Sequence, residues 1–158
     1  MTDSRAPVPK SPHKKVGLIF LAIAIIAVVT IQYLQRSLAA PSGWIDNDLP
    51  EAMRQAKQRS ANIVVLFVAK PPTEIDRWIT TKTLSEEANM KALEDGNFVA
   101  VMVRVSGNQR AQYAEEFSVH TFPTTLILSP DGEELNRKEG KIGETDFRDV
   151  FLVAAARQ

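Results

Sequence analysis

Cysteine is absent from all 158 residues, and that absence excludes more than any other feature of the composition. Thiolate nucleophiles, thiol–disulfide exchange, thiolate zinc sites and iron–sulfur clusters all require that side chain. An excess of charge is also missing. The 19 basic and 19 acidic residues cancel, so no global positive field exists to draw in a polyanion, and nucleic acid is not an expected partner. Histidine is scarce, with His120 alone after His13. As a catalytic base His120 would need a nucleophile and an orienting acid, and as a metal ligand it would need Glu74 and Asp76 to converge on it. A lone polar residue on a loop more commonly solvates its edge, so neither a catalytic residue, a metal site nor a cofactor is expected.

What is present begins with a basic, proline-marked leader over residues 1–15 that carries no apolar periodicity. From Val16 to Leu34 the chain then runs nineteen residues without a charge, a length that matches the hydrocarbon core of a bilayer as a helix. Residues 16–35 therefore read as a transmembrane helix, with Lys14 and Lys15 against Arg36 placing the N-terminus in the cytoplasm and the remainder on the far side. A cleaved signal peptide is the competing reading, since Ser37 and Ala39 offer small residues to a peptidase. Residues 36–43 read as a tether and 44–158 as a single exported domain.

Within that domain, Asp48 precedes a helical stripe of Leu49, Ala52, Met53 and Ala56. "NIVVLFVAK" and "NFVAVMVRV" are continuous apolar runs of the kind buried on both faces of a parallel sheet. Between them "SEEANMKALEDG" reads as a helix capped by Ser85 and closed by Gly96. A third helix spans Ala111, Ala114 and Phe117. The strand Thr124–Leu128 follows, then a turn at Asp131 and Gly132 into a charged edge strand, and the chain closes on a helical stripe of Phe147, Val150, Phe151 and Ala154. Trp44 and Trp78 are expected to pack over the core. Pro123 is the anomaly: it stands at the mouth of an otherwise buried strand, and proline cannot donate to a β ladder.

With this order of elements, the "DL..A...AK" helix, the "VVLFVA" strand, "TLS" at residues 83–85 and above all "VHTFPTTLILSPDGEEL", the chain resembles the thioredoxin superfamily from about Trp44 to Val153. The resemblance implies an α/β three-layer fold with a mixed central sheet flanked by helices, here preceded by the transmembrane helix. It also implies a cis bond before Pro123, whose loop faces the active-site loop. Two departures stand out. Counting back from "TLS" sets Thr73 and Asp76 on the positions of the family's paired cysteines, and Leu66 occupies the place where some redox-active members bury an acid. A hydroxyl does not replace a thiolate in disulfide exchange.

The resemblance therefore implies a redox-inactive binding protein of the cell (inner) membrane rather than an enzyme. It would be held by the bilayer through residues 16–34 and take an extended polypeptide partner along Thr73, Glu74, Asp76, Trp78, Phe122 and Pro123. Two alternatives stand beside it: a glutathione-binding enzyme or sensor using the Thr73 hydroxyl, and a structural subunit of a membrane complex assembled through the helix.

Overall fold

The computed structural model describes residues 19, 21–29, 38–106 and 108–155. The chain divides into two units, residues 1–36 and 37–158. In the first, residues 19 and 21–29 are helical, and their large apolar side chains are each more than half exposed. Among the described residues no helix is long and apolar enough to cross a membrane. The basic leader and the rest of the expected span lie outside them.

The second unit is built on two apolar runs that pair in parallel. Strands β2 (Asn62–Ala69) and β3 (Phe98–Val105) lie side by side from Asn62 opposite Phe98 to Ala69 opposite Val105. Strand β4 (Thr124–Leu128) runs antiparallel along the other side of β2, and β5 (Glu134–Glu139) pairs antiparallel with β4. The two-residue β1 (Ile45–Asp46), not anticipated from the sequence, adds in parallel to β3. The order is β1-β3-β2-β4-β5, a mixed five-stranded sheet.

Side chains alternate across that sheet, because successive residues of a strand point to opposite faces. Ile63, Val65 and Phe67 meet α1 (Leu49–Arg59) and α4 (Asn108–Glu116) through Leu49, Ala52, Ala56 and Ala114. Val64, Leu66 and Val68 meet the opposite layer through Ile79, Leu84, Leu93, Phe147 and Phe151. That layer comprises α2 (Glu74–Trp78), a π-helical turn Ile79–Thr83, α3 (Glu87–Asp95) and a composite C-terminal helix. The last consists of α5 (Glu144–Asp146), π-helical Phe147–Leu152 and α6 (Val153–Ala155). All strands but the edge pair are buried on both faces, as their unbroken apolar runs require.

Three local expectations are corrected. The cap of α3 is Glu86, whose carboxylate accepts from Asn89 N–H at 2.9 Å, while the Ser85 hydroxyl donates back to Thr80 C=O at 2.7 Å. The C-terminal stripe is Phe147, Phe151, Leu152 and Ala155, with Val150 and Ala154 turned outward. A π-helical stretch repeats at wider spacing than 3.6 residues, so the stripe slips off its regular period. Leu38, within the expected tether, is buried, and its carbonyl accepts a 2.6 Å bond from the buried Arg104 Nε. Arg104 also donates to Asp46 Oδ1 at 2.5 Å, which stitches the start of this unit to β3.

Candidate functional site

Sheet register brings the two loops singled out by the sequence to one end of the molecule. Phe67 pairs with Thr124 across β2 and β4. The loop leaving β2 at residues 70–73 and the loop reaching β4 at residues 120–123 therefore emerge side by side. The Lys70–Pro71 and Phe122–Pro123 bonds are both cis.

Thr73 caps α2. Its hydroxyl accepts from Asp76 N–H at 3.1 Å and donates to Asp76 Oδ2 at 2.8 Å, and Asp76 Oδ2 also accepts from Thr73 N–H at 2.7 Å. This reciprocal capping box satisfies donors at the first turn that no helical carbonyl reaches. The two positions counted onto the family's cysteine pair thus touch through their side chains. Asp76 is wholly buried, however, and its Oδ1 has no hydrogen-bond partner. Thr73 and Glu74 are exposed, and so is Ile75, at 46%.

Sequence reasoning passed over Ile75. A lone apolar residue between two acids, in a stretch too short to show a period, was the available signal.

The remaining expected residues are divided between the two layers. Trp78 is half-buried on the α2 side of the sheet, with Lys141 Nζ 3.7 Å from its ring centroid in a cation–π contact. Phe122 is half-buried against the α1 and α4 side. Pro123 is buried, and its carbonyl accepts from Gly140 N–H at 2.7 Å. The Thr121 carbonyl accepts from the Thr124 hydroxyl, also at 2.7 Å. Between these occupied carbonyls, no hydrogen bond to the Phe122 N–H or C=O occurs among the described residues.

The arrangement thus offers a donor and an acceptor without partners among the described residues next to the end of β4, at the same end of the sheet as an exposed isoleucine and a capped helix start. His120 is exposed and shares in none of the hydrogen bonds of the Thr73–Asp76 cap. Among the described residues no three of His, Cys, Asp and Glu are grouped to hold a metal ion.

The family model for the thioredoxin-like domain matches residues 49–154. Among solved structures, a thioredoxin from Thermus thermophilus is 24% identical, with a TM-score of 0.60 over 73% of this chain and 86% of its own. The C-terminal domain of DsbD from Neisseria meningitidis, in its oxidised form, is 17% identical with a TM-score of 0.55, over 68% of this chain and 95% of its own. A DsbH oxidoreductase is 16% identical with a TM-score of 0.51, over 66% of this chain and 79% of its own. These likenesses concern the fold. No curated protein matches the chain.

Proposed function

Since the chain belongs to the thioredoxin-like family and contains no cysteine, we propose that it is a membrane-anchored, redox-inactive binding protein. It takes an extended polypeptide segment on the ledge formed by the Phe122 backbone and the Thr73–Asp76 loop. The single observation that carries this reading is that the Phe122 N–H and C=O have no partner among the described residues, at the end of a strand paired along both edges. Strand addition needs such a donor and acceptor, with side-chain contacts supplying selectivity. Exposed Ile75 supplies the apolar contact, and Glu74 the polar rim. Phe122 and Pro123 contribute backbone and packing, and Asp76 holds the loop from beneath.

The Thr73 hydroxyl is already engaged by Asp76 as both donor and acceptor. This speaks against the glutathione reading, which needs that hydroxyl to hold a thiolate. Millimolar glutathione is accordingly expected to leave the tryptophan fluorescence unchanged.

The ledge is tested by placing a photo-crosslinking amino acid at position 75 of the full chain in intact membranes, with position 133 on the distant hairpin turn as control. The ledge reading predicts polypeptide adducts from position 75 that position 133 does not give. Identical adduct patterns from both positions, or none from position 75, would remove the ledge from the account.

A further inference from the structure

A second opening in the backbone hydrogen bonding lies at the opposite end of the sheet. On the outer edge of β3 the partner strand is only Ile45–Asp46, in register with Val101 and Met102. Asn47 N–H continues the ladder by donating to Met102 C=O at 2.8 Å, and the Asn47 side-chain oxygen accepts from Arg104 N–H at 2.8 Å. The even-numbered residues of β3 therefore direct their N–H and C=O groups toward this edge. By the two-residue period of a strand, Phe98 and Ala100 do the same.

Register gives the Ala100 carbonyl to Ile45. The Phe98 C=O and the Ala100 N–H then have no partner among the described residues, because the chain before Ile45 turns away. Trp44 N–H donates to Pro41 C=O at 3.1 Å, which closes a turn where another strand residue would have stood.

That turn leaves a cleft of about 230 Å³. Ser42, Gly43 and Trp44 form one wall, Met90, Leu93 and Glu94 of α3 the other, and Phe98 and Ala100 the floor. The walls mix the apolar Trp44, Met90 and Leu93 with the polar Ser42, and Glu94 is the one charged side chain lining the cleft. It is exposed and forms none of the ion pairs found among the described residues; its neighbour Lys91 pairs with Asp95 instead.

We propose that this cleft is a strand-addition site for an extended peptide segment carrying a basic residue. One residue of that segment, opposite Val99 in the parallel sense, donates its N–H to Phe98 C=O and accepts from Ala100 N–H. It repeats one step earlier what Ile45 does opposite Val101. The main chain supplies the pairing, an apolar side chain meets Leu93 and Phe98, and the basic side chain meets Glu94. The site is independent of the Phe122 ledge, since Phe98 lies opposite Asn62 at the start of β2 whereas Phe122 lies beyond its end.

The test is amide hydrogen exchange on the full chain, with and without acetyl-Val-Lys-Val-Leu-amide, whose second valine stands opposite Val99 so that its Lys and Leu share the face of Phe98 and Leu93, together with analogues N-methylated at the second valine or carrying Glu in place of Lys. In the free chain the Ala100 amide is expected to exchange much faster than those of Val99 and Val101. The parent peptide slows Ala100 selectively. The N-methyl analogue, which lacks one donor, binds at least roughly fivefold more weakly. Both the Glu analogue with the natural chain and the parent peptide with Glu94→Gln lose roughly twofold or more, in a salt-dependent way. The proposal is overturned if the Ala100 amide is already protected in the free chain, if no peptide binds at millimolar concentration, if methylation or the charge changes are without effect, or if the peptide protects Phe122 instead of Ala100.

Discussion

A buried aspartate beneath an exposed threonine organises the candidate site at the scale of single residues. Asp76 satisfies Thr73 N–H and is in turn held by the Thr73 hydroxyl, so the two substitutions have unequal consequences. Thr73→Ala removes a helix cap and is expected to cost about 1 kcal/mol. Asp76→Ala also strands a backbone donor and is expected to cost about 1–3 kcal/mol. Urea unfolding midpoints at constant slope read both. The same contact tests the counting that set these two residues on the cysteine positions: Thr73→Cys with Asp76→Cys should close an intrachain disulfide on mild oxidation, seen as the loss of two hydrogens in the intact mass. A reduced product would show the register to be wrong. The positions were legible in the sequence through their spacing from "TLS". That Asp76 is buried, and that Ile75 beside it is exposed, depended on how far into α2 the chain had turned before the sheet covered it.

Among the elements, α3 and the C-terminal helix are joined by one buried amide. Asn89 Nδ2 donates to Thr83 C=O at 2.7 Å and to Glu144 C=O at 3.0 Å, and the Thr83 hydroxyl donates to Ile142 C=O at 2.8 Å. Asn89→Ala deletes two of these bonds and leaves carbonyls without donors, an expected loss of about 2–3 kcal/mol that chemical denaturation would report. Helix α1 gives a pH dependence instead. Hydrogen bonds from Arg54 and then Gln55 hold the Glu51 carboxyl below the usual carboxylate range. A depressed folded-state pKa contributes stability that is present above the unfolded-state value and is lost as pH falls through the folded one. Glu51→Gln is thus expected to flatten slightly the acid limb of a stability-against-pH curve, most visibly below about pH 4. The helices and strands were legible because apolar periodicity is local. The π-helical turns were not, since nothing in "FRDVFL" departs from an ordinary amphipathic pattern.

For the whole molecule, the proposed anchor and the folded unit separate cleanly along the chain. The unit from residue 37 onward carries its own two-sided core. A variant lacking residues 16–34 is expected to leave the membrane pellet for the soluble fraction, with its thermal unfolding unchanged. The full chain should remain in the pellet after alkaline carbonate extraction. Release of the full chain by carbonate would exclude the anchor, and continued pelleting of the shortened one would show that another surface holds the membrane.

Composition and short-range pattern by themselves determined that no thiol chemistry is available, that two doubly buried strands pair in parallel within an α/β sheet, and that a proline interrupts the approach to β4. These properties follow from side-chain identity and from periods of two to four residues, which any short window displays. The tertiary structure alone decided that β1 shrinks to two residues and leaves the Phe98 C=O and the Ala100 N–H without a partner among the described residues. It also decided that Val150 faces outward and that Asp76 is sealed beneath Thr73. Each of those outcomes is set by groups far apart in the chain competing for the same surface or hydrogen bond, and such a competition leaves no trace in a local pattern.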